Sequence, residues 1–117
     1  MRRPNPVLKE TAVMLERAGR DQKAPIWMAA SRALSRTAVN KVEVNLGRVS
    51  RLAKEGEAVF VPGKVLGLGT VDKGVIVGAF SFSESARAKI TSSGGMALGV
   101  KEFMEKYPKG SGVKLVE

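Results

Sequence analysis

The first residues with the type and spacing of a chemical site are Gly63-Lys64-Val65-Leu66-Gly67-Leu68-Gly69, because glycines let backbone amides come close to phosphate. A Walker-type nucleotide loop needs a glycine, four residues, then Gly-Lys-Ser/Thr, whereas the interval from Gly69 to Gly74 runs on into Val75-Ile76. The dinucleotide pattern lacks its third glycine after Gly67-Leu68-Gly69. These glycines are expected in turns between β segments, with close approach of a phosphate backbone as an additional role.

Ser111-Gly112-Val113-Lys114 matches the Ser-x-x-Lys signature of enzymes that recognise β-lactams, where lysine helps activate serine. The companion Ser-Asp-Asn and Lys-Thr-Gly motifs are absent and the chain is too short for that fold, so Lys109 to Ser111 reads as a hydrogen-bonding turn. Glu102 and Glu105 lie on one side of a predicted helix, but Lys101 and Lys106 flank them and no second acidic pair completes a site. The sequence has no cysteine and no histidine. That excludes disulfides, thiolate and imidazole metal sites and histidine-activated nucleophiles. No catalytic residue, metal, cofactor or small-molecule substrate is expected, and the chain reads as a protein that is not an enzyme.

The basic residues carry the stronger signal. The net charge over 117 residues is +9, enough to attract a polyanion by releasing the counterions condensed on its phosphates. Residues 1–54 hold twelve Lys and Arg against four Asp and Glu, a net +8, whereas residues 55–117 hold eight against seven, a net +1. The first half is expected to form the electrostatic footprint, and it is rich in arginine, whose planar fork suits phosphate and whose face stacks on bases. Arg32, Arg36, Lys41, Arg48 and Arg51 bracket one predicted turn, so a modest fold gathers them on a phosphate-facing surface. Arg2 and Arg3 add charge at the start. Trp27 has the ring to stack on a base, but its place at the start of an apolar helix favours packing in the core.

The elements that must position these residues follow from periodicity. Asn5-Pro6 opens a helix with Leu8, Ala12, Leu15 and Ala18 at helical spacing, ending before Gly19. Pro25 starts a second helix with Ile26, Ala29, Ala30, Ala33 and Leu34 as its apolar stripe. Residues 41–44 alternate as a short strand, and Asn45 is placed to cap a third helix with Leu46, Val49 and Ala53 inward, ended by Gly56. Short β runs follow at 58–61, 64–66 and 75–80, separated by Pro62-Gly63 and by the turn region 67–74. A helix over 86–91, a strand over 96–98, a helix over 100–106, a turn over 108–112 and a strand over 113–116 complete the pattern. With 44% apolar and only 5% aromatic residues, the core is expected to be mostly aliphatic. The fold class expected is α/β in a single compact domain, with a basic helical N-terminal layer (1–54) and a small β/α body of short strands (55–117). No stretch approaches 18 apolar residues and the charged start lacks a signal-peptide core, so no membrane association is expected and the cytoplasm is the default location.

Val44-Asn45-Leu46-Gly47-Arg48-Val49, Val61-Pro62-Gly63-Lys64-Val65-Leu66-Gly67 and Ala79-Phe80-Ser81-Phe82-Ser83, in that order, resemble the archaeal and eukaryotic ribosomal protein 18e family. Asn5-Pro6-Val7-Leu8 and Pro108-Lys109-Gly110-Ser111-Gly112-Val113 resemble its two ends. The resemblance implies a structural constituent of the large ribosomal subunit, with an α/β body related to bacterial large-subunit protein fifteen. Its partners would be large-subunit rRNA and neighbouring large-subunit proteins. It also implies that Asn45, Gly47, Arg48, Gly63, Lys64 and the turn of Lys109 to Ser111 lie at RNA or at tight structural turns. Arg2-Arg3 departs from the Lys-Thr that often precedes Asn-Pro in relatives, which leaves general phosphate affinity there rather than a specific contact. The chain lacks the long basic extensions of eukaryotic relatives, which points to the archaeal type. A DNA-binding helix-turn-helix built from the first two helices is the alternative, although Ile26 to Leu34 offers few polar groups for reading bases.

Overall fold

A computed structural model describes residues 6–37, 42–54, 57–71 and 74–117, apart from the side chains of Pro6, Arg36 and Thr37. Ten elements follow in chain order: α1 (Pro6–Asp21), α2 (Pro25–Thr37), β1 (Glu43–Asn45), α3 (Leu46–Leu52), β2 (Ala58–Leu66), β3 (Ile76–Phe82), α4 (Glu84–Ser92), β4 (Met96–Gly99), α5 (Val100–Lys106) and β5 (Val113–Leu115). Among the described residues the strand pairings are all parallel, and β2 and β3 form the centre of the sheet, with β4 beyond β3. The other edge of β2 is shared: β5 pairs with Ala58–Phe60 and β1 pairs with Lys64–Leu66.

That shared edge explains why one strand forms where the sequence suggested two. Proline lacks an amide for the ladder and glycine weakens a strand, so Pro62-Gly63 was expected to break it. The register against β3 instead shifts between Val61 and Lys64, and the two residues fall in a bulge between the β5 and β1 pairings. Gly63 is buried there, where a Cβ would collide with the carbonyl of Val42.

Alternate side chains of β2 enter opposite cores, as expected for a parallel sheet covered on both faces. Val59, Val61 and Val65 join Val49 of α3 and Ala86 and Ile90 of α4 in one aliphatic core. Ala58 and Phe60 join Leu8 and Leu15 of α1, Trp27 and Leu34 of α2, and Phe103 of α5 in the other. The second core is mostly aliphatic too, but it has an aromatic centre. Trp27, Phe60 and Phe103 are fully buried, with ring centroids 5.5–6.0 Å apart, and the two Trp27 pairs are nearly edge-on. Burial of each such side chain contributes about 1.5–3 kcal/mol, so these few aromatics anchor the layer of α1, α2 and α5.

Two helix boundaries depart from expectation for local reasons. α1 continues through Gly19 to Asp21, because that glycine serves close packing: a Cβ there would lie 3.0 Å from the Met28 nitrogen and 3.2 Å from the Ala24 carbonyl oxygen. Its own carbonyl accepts from the Ala24 amide at 2.9 Å, closing the turn into α2. Asn45 does occupy the N-cap position of α3 in an extended conformation, but its side chain makes no capping bond. Ser83 does cap α4, accepting from the Ala86 amide at 3.2 Å, so that helix begins at Glu84. Gly56, expected to end α3, lies outside the described residues.

Candidate nucleic-acid interface

The carboxyl ends of β1 and β2 open onto one surface. β1 passes directly into α3 at Leu46, and β2 passes into the loop at 67–70, so the start of α3 and this loop lie side by side. The Gly47 amide donates to the Leu68 carbonyl at 3.1 Å. Between them is an open depression of about 500 Å³ whose lining includes Asn45, Gly47, Arg48, Arg51, Leu68 and Gly69. Arg48 and Arg51 are exposed, and Arg48 Nε donates to the backbone carbonyl of Glu117 at 3.0 Å. Glu43 and Glu117 share the rim, so the surface alternates charge rather than being uniformly positive. Lys64, exposed on β2, sits opposite Glu43 in the strand register.

The far end of α3 is fixed by a second cluster. Lys114 Nζ donates to the Leu52 carbonyl at 2.7 Å and lies 3.4 Å from Glu57 Oε1. A cation at the last carbonyls of a helix satisfies an orphan acceptor and complements the helix dipole. Glu57 also accepts from the Lys54 amide at 3.1 Å, and that bond, followed by the bond and charge from Lys114, holds its carboxyl below the usual carboxylate range.

The expected site residues divide between layers. Asn45, Gly47, Arg48 and Arg51 come together at the depression. Arg32 is exposed on α2, which packs on the opposite face of the sheet from α3, so it belongs to a different layer from Arg48 and Arg51. Lys109 and Ser111 are exposed in the turn before β5, beside the start of α2. Trp27 Nε1 donates to the Pro108 carbonyl at 2.9 Å, and Gly110 packs against Ile26. Gly63 is buried in the β2 bulge against Val42 and does not line the depression. Arg2, Arg3 and Lys41 lie outside the described residues, as does the side chain of Arg36.

Two cations of α4 were not among the expected site residues. Arg87 and Lys89 are exposed on α4, with the Arg87 guanidinium 5.1 Å from the centroid of the Phe82 ring. Lys89 Nζ donates to the carbonyls of Gly67 at 2.6 Å and Gly69 at 2.9 Å. Their signal was present as exposed positions on a predicted helix, but the near-neutral sum over residues 55–117 concealed it.

The comparisons with known proteins bear on this surface. Residues 43–98, which span the depression, the loop and α4, match a family described as ribosomal proteins, in which 50S-L15 and 50S-L18e are grouped with a 60S protein. A large ribosomal subunit protein eL18 from Methanococcus maripaludis is 41% identical over 112 residues, covering 96% of this chain and 93% of the relative. Its counterpart from Archaeoglobus fulgidus is 40% identical over 116 residues, covering 99% of each chain. The chain belongs to the eL18 family of large ribosomal subunit proteins. A third member, from Pyrobaculum aerophilum, is 39% identical over 119 residues, covering 97% of this chain and 98% of that one. The family consists of structural ribosomal proteins, not enzymes, which agrees with the failure of the enzyme-like motifs on spacing, on missing companion motifs or on flanking charge. The buried face of α2 also gives no support to a DNA recognition helix: Trp27, Ala30, Ala33 and Leu34 are fully buried, and its exposed described side chains are Pro25, Arg32 and Ser35.

Proposed function

We propose that this chain is a structural constituent of the large ribosomal subunit that binds and stabilises large-subunit rRNA, with Arg48 and Arg51 at the main contact. The observation that carries the reading is the depression at the carboxyl ends of β1 and β2, where two exposed arginines, Asn45 and two glycines meet in a member of the eL18 family. Arginine forks bind phosphate oxygens in pairs of charge-assisted hydrogen bonds, and the glycines let a sugar-phosphate strand approach the backbone. Cations inserted where RNA helices converge lower their mutual repulsion. Phosphate contacts fix position without reading sequence, so specificity comes from the shape of the RNA. Arg2, Arg3, Arg32, Arg36, Lys41, Lys64, Lys109 and Ser111 supply further contacts in this reading.

Neighbouring ribosomal proteins suit the layer of α1 and α5. The acidic and basic residues of these two helices balance, Arg20 and Glu16 form a bridge at 2.9 Å, and Val7 and Val13 remain exposed. Co-sedimentation with large subunits across a salt series tests the function. The expected result is retention at moderate salt and release only at high salt. Release at low salt, or tighter binding to duplex DNA than to structured rRNA under matched conditions, would overturn it.

A further inference from the structure

The loop at 67–70 has an unusual division of its backbone groups. Its first three carbonyls all face the protein: those of Gly67 and Gly69 accept from Lys89 Nζ, and that of Leu68 accepts from the Gly47 amide. Its amides do not. Among the described residues, none of the amides of Leu68, Gly69 and Thr70 donates to the protein. The Leu68 side chain is 73% exposed, and Thr70 is exposed beside it. The loop sits between Arg48 and Arg51 on α3 and Lys89 on α4, and Leu68 and Gly69 themselves line the arginine-bearing depression.

A surface that receives a polyanion should turn its acceptors inward and leave donors outward, since a bare carbonyl opposes a phosphate oxygen and an unused amide attracts one. We propose that the loop at 67–70 is an RNA-docking site, taking the sugar-phosphate backbone on the free amides of Leu68, Gly69 and Thr70 with Leu68 packed against a sugar or base. Lys89 is its positioning residue. Two of its three ammonium donors hold the loop's carbonyls and the third remains for the same RNA strand. Arg48, Arg51 and Lys89 outnumber Glu43 and Glu117 around the loop, which favours RNA over a protein neighbour for this tip. The proposal rests on the rRNA-binding reading and adds a contact with no arginine in it.

The absence of cysteine makes single-cysteine probes unambiguous. Thr70→Cys and, as a reference on α3, Leu52→Cys would each carry a tethered iron chelate in the complex with large-subunit rRNA. The expected result is directed cleavage of the rRNA backbone from position 70 as well as from 52. Cleavage from 52 alone overturns the loop proposal and leaves the rRNA reading intact, whereas cleavage from neither overturns both. In assembled subunits, a thiol at position 70 that a neighbouring protein protects from alkylation, without rRNA cleavage, also overturns it. Lys89→Met, checked for an unchanged circular dichroism spectrum, should weaken rRNA binding about threefold to tenfold and broaden the cleavage from position 70. Lys89→Arg should restore part of both. An unchanged cleavage pattern in Lys89→Met removes the positioning role.

Discussion

Gly47 and Gly69 meet backbone to backbone: a Cβ on Gly69 would stand 2.6 Å from the Gly47 nitrogen and 2.7 Å from its Cα. Gly69 also has φ +98°, a conformation that side-chain-bearing residues rarely adopt. Both constraints fall on the seam between α3 and the loop after β2, where the two halves of the chain are joined at the candidate interface.

Gly69→Ala should therefore destabilise the fold by about 3 kcal/mol, combining left-handed strain with a clash against backbone that has little room to yield. Gly112 gives the control, since its φ is +74° but a Cβ there would meet nothing within 4 Å. Gly112→Ala should cost about 1 kcal/mol from conformation alone. Urea unfolding of the two variants separates the terms, and equal losses would show that the Gly47 contact carries no energy.

The indole of Trp27 ties α2 to the turn before β5 through its bond to the Pro108 carbonyl. Trp27→Phe keeps an aromatic ring against Phe60 and Phe103 but deletes the donor and leaves a gap, so a loss of about 1–3 kcal/mol is expected. Amide exchange should report where it acts: protection at Gly110 and Val113, whose amides close that turn, should fall more than protection in α3.

The position of α3 has a pH signature. Glu57 binds a proton less readily in the folded chain than in the unfolded one, chiefly because its carboxylate accepts from the Lys54 amide. Unfolding therefore takes up protons, and the contribution to stability is full above the unfolded glutamate value of about 4.3 and disappears as pH falls through the lower folded value. Glu57→Gln should show a smaller loss of stability than the parent between about pH 5 and pH 3. Parallel stability curves for the two proteins over that range would remove Glu57 as a source.

Most elements were legible because hydrophobic period and punctuation agree. Leu8, Ala12 and Leu15 mark one face of α1, and Val113 to Leu115 read as a strand before any pairing is known. What escaped was set by contacts distant in sequence. Pro62-Gly63 punctuates locally as a break, yet β2 continues because β5 and β1 share its edge end to end. Gly19 punctuates as a helix stop, yet it is where Met28 approaches. At the interface, Asn45, Gly47, Arg48 and Arg51 were legible together because they lie within seven consecutive residues. The link from Lys89 to Gly67 and Gly69 was not, since it spans about twenty positions and uses carbonyls that every residue has. Summed charge located arginine density correctly but could not divide Arg32 from Arg48 and Arg51, which the sheet puts on different layers.

The most direct test of the central claim is the salt dependence of affinity for a large-subunit rRNA fragment, measured for the parent chain and for the Arg48→Gln, Arg51→Gln double variant. If these arginines contact phosphates, the parent should show a steep linear fall of log affinity with log salt, and the variant should bind more weakly with a slope shallower by about two. A flat response in the parent, or an unchanged slope and affinity in the variant, would contradict the account.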